Sequence, residues 1–171
     1  MNGLLAIIAK NNFQINNPKI EWKNCFGFQK PFLHRKISNQ NFLVELVTLD
    51  QFNEEKVWID CDDYFVATDG LILNIELLIK KYRFESLKQL FDFYYLSTSA
   101  FFSEFEGNFT GILYNNKNND FQVFNNKTAQ KKLFYFDNKD FSIFCSDLKV
   151  ITSYLRSSNI NFSLNIDAAY L

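Results

Sequence analysis

The chain has 171 residues, 47% of them apolar, with 18 Lys and Arg against 19 Asp and Glu for a net charge of -1. That much apolar surface offsets chain entropy and excludes an intrinsically disordered chain, while near-neutrality excludes the global basic field on which nucleic-acid binders rely. No run of about eighteen apolar residues is present, so no membrane-spanning helix is expected.

Residues 3–9 form a continuous apolar run and predict a strand buried on both faces. They lack a basic leader, so they read as a strand rather than a signal peptide. Residues 10–24 are polar and Asn-rich and read as a loop. Residues 25–33 and 42–49 carry weak strand signals around the basic stretch His34-Arg35-Lys36, where His34 reads as a loop or surface residue. Val57–Ile59 and Tyr64–Thr68 predict a hairpin across the acidic turn Asp60-Cys61-Asp62-Asp63, with Asp69-Gly70 ending the second strand. Those acidic residues offer carboxylates for a divalent cation, but turn chemistry explains them without one.

Composition then changes. Ile75, Leu77, Leu78 and Tyr82 predict an amphipathic helix over 73–83. Ser86 caps a second helix carrying Leu87, Leu90, Phe91 and Tyr94, and a short third covers Ser97–Phe105. Strands follow at Phe109–Tyr114, Phe121–Phe124, Leu133–Phe136 and Phe141–Cys145, and Ser146 opens a last helix with Leu148, Val150, Ile151 and Leu155. Strands, helices, strands and a helix in that order predict a layered α+β domain rather than βαβ alternation. Lys127, Lys131 and Lys132 read as a solvated basic face, and the Phe stripes as core. Cys25, Cys61 and Cys145 are distant and odd in number, which predicts reduced thiols in a cytoplasmic chain.

The order of local patterns resembles the N-terminal glutaminase-like domain of asparagine synthetases, class II glutamine amidotransferases of the Ntn-hydrolase fold. Glu104–Tyr114 is similar to the family's strand L-[DE]-G-x-F-A-F-A, and Phe124–Tyr135 to its hairpin A-R-D-x-x-G-x-K-P-L-Y-Y, with Lys131, Leu133 and Tyr135 retained. Ser146-Asp147-Leu148-Lys149 resembles the following helix start, His34–Ser38 resembles H-x-R-L-S, and Tyr64–Leu78 matches a further pattern at Gly70, Asn74 and Glu76. The resemblance implies a four-layer αββα sandwich of two mainly antiparallel sheets over residues 1–165. It also implies that residues 166–171 begin a linker to a C-terminal synthetase-like domain, which would hold ATP and Mg; this domain itself would hold no cofactor and no metal.

Family members attack the glutamine carboxamide with an N-terminal Cys whose α-amine is the base. Here that position is Asn2, which is no nucleophile and is too bulky for efficient removal of Met1. The oxyanion-hole pair reads Asp69-Gly70, and an ionised Asp69 would repel an oxyanion. The next family residue is Leu71, and the arginine that grips the substrate carboxylate aligns with Lys36, or less well with Arg35. Lysine cannot supply the bidentate fork. Asn2, Asp69 and Gly70 are therefore vestigial catalytic positions, and Lys36 and Leu71 vestigial substrate positions.

The expected function is a non-catalytic scaffold or docking domain of an ATP-dependent, amide-forming, asparagine synthetase-like protein. Its partner would be the synthetase-like domain of the same parent, with self-association open and no nucleic acid or membrane involved. Two alternatives stand beside it: a sensor of an amino acid or peptide in the old glutamine pocket, and an amidohydrolase with a relocated nucleophile at Cys25 or Cys61.

Overall fold

A computed structural model describes residues 3–11, 13–15, 20, 22, 25, 32–52, 56–97, 101–128 and 130–162. It contains β1 (Gly3–Ala9), β2 (Phe32–Ser38), β3 (Phe42–Leu49), β4 (Trp58–Asp60), β5 (Tyr64–Ile72), α1 (Ile75–Tyr82), α2 (Leu87–Ser97), β6 (Gly107–Asn115), β7 (Asp120–Asn125), β8 (Phe134–Asp137), β9 (Phe141–Cys145) and α3 (Leu148–Ser157). The strands make a five-stranded sheet, β2-β3-β1-β9-β8, and a four-stranded sheet, β4-β5-β6-β7. Every pairing within them is antiparallel. The protein is an α+β sandwich, as its sequence predicts.

Side-chain alternation builds the layers. Leu4, Ala6, Phe42, Val44 and Leu46 from one sheet meet Phe65, Ala67, Ile112 and Tyr114 from the other, forming the central apolar layer. The intervening residues Leu5, Ile7, Leu43, Val47, Ile143 and Cys145 face outward and are covered by Val150, Ile151, Tyr154 and Leu155 of α3. On the far side Tyr64, Val66, Phe109 and Leu113 are covered by Leu78 of α1 and Leu90, Phe91 and Tyr94 of α2. Both sheets are thus apolar on both faces, which explains the unbroken apolar run of β1.

Four local features depart from the sequence reading. The basic stretch His34-Arg35-Lys36 lies inside β2 rather than between strands. The segment Ser97–Phe105 holds the end of α2 and a 3-10 turn at Phe101–Glu104 rather than a separate α-helix. β5 does not stop at Asp69-Gly70 but pairs onward, Leu71 with Asn108 and Ile72 with Gly107. Gly70 permits this because it takes φ 106° at a place where a Cβ would come 2.1 Å from the Asn108 carbonyl oxygen. Finally, Asp147 rather than Ser146 caps α3, accepting from the Lys149 N–H at 2.7 Å. Ser146 instead pins β1, its hydroxyl accepting from Leu4 N–H and its own N–H donating to the Leu4 carbonyl.

The expected turn before β7 is present, with Asn115 Oδ1 accepting from the Lys117 and Asn118 N–H groups and Asn119 at φ 56°. Most of the expected loop at 10–24, Asn2, and the linker at 166–171 lie outside the described residues.

Candidate functional site

Strand register identifies one end of the sandwich as the place where the candidate residues gather. Gly3 pairs with Val47 and Leu5 with Cys145, so the start of β1 lies beside the ends of β3 and β9. Asp69 pairs with Thr110, and Thr110 with Asn125, so the end of β5 lies beside the start of β6 and the end of β7. At the opposite end, Phe42 beside the finish of β1 touches Tyr114 near the finish of β6, with ring centroids 4.2 Å apart. The start of β1 and the Asp69-Gly70 pair therefore share one end.

There the apolar central layer becomes polar. Asp69 alternates with Phe65 and Ala67, so its carboxylate enters the space between the sheets, where it is 0% exposed. Lys131, from the loop between β7 and β8, places its Nζ 3.0 Å from Asp69 Oδ1. This replaces the solvated reading of Lys131: a buried carboxylate requires a cation, and the loop supplies one. Thr110 and Asn125 continue the polar row across the sheet. The Thr110 hydroxyl donates to the Phe124 carbonyl at 3.2 Å, and Asn125 Nδ2 donates to the Lys131 carbonyl at 3.2 Å. The buried Lys56 ammonium donates to the Gly70 carbonyl at 3.0 Å.

The other candidate positions lie apart. Lys36 sits opposite Glu45 in the middle of β2 and β3, on the outer face of the five-stranded sheet. Its Nζ is 3.1 Å from Glu45 Oε1. Arg35 is its neighbour on the opposite face of the strand. Leu71 is exposed at the edge of the β5–β6 pairing. The structure thus brings Asp69 and Gly70 to the start of β1 but directs Lys36 away from them.

Glu45 was not singled out in the sequence, though a carboxylate within Leu43-Val44-Glu45-Leu46-Val47 is a charge at a core position. It is 2% exposed, and it accepts from Trp22 Nε1 at 2.6 Å while His34 Nε2 lies at 3.1 Å. Burial alone would raise its pKa, but the contacts from His34, Trp22 and Lys36 outweigh that and hold the carboxyl below its usual range. With Glu45 ionised, His34 Nε2 carries the proton and donates.

The thiols hold no activating partner among their described contacts. Burial, helped by the Asp147 charge, pushes the Cys25 thiol up against the opposing effects of Lys149 and Ser153. Burial likewise pushes Cys145 far up. The Cys61 Sγ donates to the Tyr64 carbonyl at 3.2 Å. No group of three or more His, Cys, Asp and Glu side chains suited to a metal occurs among the described residues. The Asp62 and Cys61 carbonyls instead accept from Asn116 Nδ2, and Lys117 pairs with Asp63. No helix among them is long and apolar enough to cross a membrane. Compared with known proteins, the chain matches no family model and no curated sequence.

Proposed function

We propose that the chain is a non-catalytic, cytoplasmic glutaminase-like domain that serves as a scaffold for an ATP-dependent, amide-forming synthetase domain of the same parent protein. The observation that carries this reading is Asp69. At the position that the family resemblance assigns to an oxyanion donor, the chain holds a fully buried carboxylate with a lysine beside it. A carboxylate opposes developing negative charge instead of stabilising it. Two described hydroxyls at this end are also engaged with backbone, Thr110 through its donation to Phe124 and Ser146 through its acceptance from Leu4. Asn2, the residue before β1, adds a carboxamide where a thiol would be needed.

The test is intact mass spectrometry after incubation with an electrophilic glutamine analogue, together with an ammonia assay on glutamine. An unchanged mass and no ammonia above background are expected. A covalent adduct or released ammonia overturns the reading, and tandem fragmentation then locates the nucleophile.

One observation favours a second reading, a sensor of an amino acid or peptide. Asp69 places a buried carboxyl group at this end of the sandwich, against a lysine ammonium, and such a group suits an amine. A rise in the wild-type unfolding midpoint with one ligand of a screen would support it, because a ligand that binds only the native state stabilises it.

A further inference from the structure

We infer that the Asp69 end of the sandwich is a binding site for a primary ammonium group, held shut by the chain's own Lys131; the inference rests on the sensor reading above.

Asp69 stands on a rigid central strand, between Phe65–Ala67 on its own side and the partner sheet. Its cation comes from elsewhere. Lys131 belongs to the irregular connection between β7 and β8, and its side chain keeps 21% of its surface exposed. It therefore reaches in from solvent on a flexible four-carbon stem, which can also swing out. The match is incomplete as it stands. Lys131 supplies charge at 3.0 Å, yet among the described residues neither Asp69 oxygen accepts an aligned hydrogen bond, and the buried Oδ1 of neighbouring Asn125 accepts none. A tethered ammonium approaches from one direction only. A free primary ammonium carries three donors on one positive charge and can orient them towards the acceptors the site offers. Withdrawal of Lys131 would expose a buried carboxylate in search of such a group, the α-amine of an amino acid or peptide being the natural source.

The experiment removes the latch and restores the ammonium from solution. Lys131→Ala, Asp69→Asn/Lys131→Ala and wild type are melted in ethylammonium chloride and in tetramethylammonium chloride at equal ionic strength. Lys131→Ala should melt below wild type, and ethylammonium should raise its midpoint saturably by about 2 °C or more, a resolvable shift for a chain of this size. Tetramethylammonium, which has no N–H, should not. Wild type and the double variant should respond equally little to either salt. Identical responses of Lys131→Ala to the two cations, or an equal response of the double variant, overturn the proposal. If Lys131→Ala does not fold alone, folding only in ethylammonium supports the latch; failure in both salts while the double variant folds overturns it. A wild-type midpoint raised by an amino acid without rescue of Lys131→Ala keeps the sensor reading and overturns the latch.

Discussion

The indole Nε1 of Trp22 donates to Oε2 of Glu45 at 2.6 Å, on the outer face of the five-stranded sheet beside the apolar cluster under α3. The same oxygen faces His34 Nε2 at 3.1 Å, and Oε1 faces Lys36 Nζ at the same distance. One carboxylate therefore ties the edge strand β2 and the segment carrying Trp22 to β3.

This arrangement predicts an acid-sensitive contribution to stability. The folded-state pKa of Glu45 is lowered from its ordinary 4.5. Its contribution is then fully present above that ordinary value and is lost as pH falls towards the lower folded value. Glu45→Gln should cost about 1–3 kcal/mol at pH 7, because the charge-assisted bonds are replaced by neutral ones. The gap between wild type and Glu45→Gln should narrow below about pH 4.5. Urea unfolding followed by Trp22 fluorescence in a Trp58→Phe background measures both; an unchanged gap from pH 7 to pH 3 would count against the ionised carboxylate.

Two glycines predict different costs. At Gly70 a Cβ would strike backbone, the Asn108 carbonyl oxygen at 2.1 Å, and φ is 106°. At Gly111 it would strike the Phe124 ring at 2.3 Å, a side chain on the neighbouring strand. Gly70→Ala adds backbone strain of about 1–3 kcal/mol to a clash that only backbone movement relieves. Gly111→Ala overpacks a core site, which typically costs about 1–3 kcal/mol, and the ring can shift. Thermal melts of the two variants should rank Gly70→Ala as the more damaging; the reverse order would falsify the role assigned to the Gly70 crossing.

The layers were legible from local pattern because the continuous apolar run of β1 states that both its faces are covered, and the helical spacing after β5 and β9 supplies the covers. Much of the polar chemistry was not. The stretch His34-Arg35-Lys36 reads as a break between strands because it is polar, and the carboxylate that meets His34 and Lys36, that of Glu45, comes from the neighbouring strand. Lys131 reads as surface because its partner, Asp69, lies far away in sequence and is buried only once the second sheet is in place. Ser146 looks like a helix cap, yet its partner is Leu4 at the other end of the chain. In each case the deciding contact is long-range, and local propensity carries no information about it. The Asp69-Gly70 pair could be recognised as a special position in the sequence, but not that a lysine stands beside it.

The cysteines predict a graded chemistry. Cys145 is fully buried and Cys25 partly so, and burial disfavours the thiolate at both. In native protein at pH 7, iodoacetamide should leave Cys145 unmodified and should alkylate Cys25 more slowly than it does in urea. Peptide mapping by mass spectrometry reads each site. Rapid alkylation of Cys25 in the native state would instead mark an activated thiol and revive the relocated-nucleophile reading.

The helical layer leaves leucines uncovered. Leu73 just before α1, Leu77 within it and Leu96 near the end of α2 are 70%, 67% and 77% exposed. α1 and α2 pack against each other and the sheet through Leu78, Leu90, Phe91 and Tyr94, so these leucines take no part in the core. Leu77→Ser and Leu96→Ser should each change the unfolding free energy by no more than about 0.5 kcal/mol. Phe65→Ala, in the dry layer between the sheets against Phe42 and Trp58, should cost about 3–5 kcal/mol. Denaturant melts of the three variants test the partition. Loss of several kcal/mol from Leu77→Ser would mean that this surface is part of the fold, whereas stability kept by both Ser variants leaves it available for contact with another body.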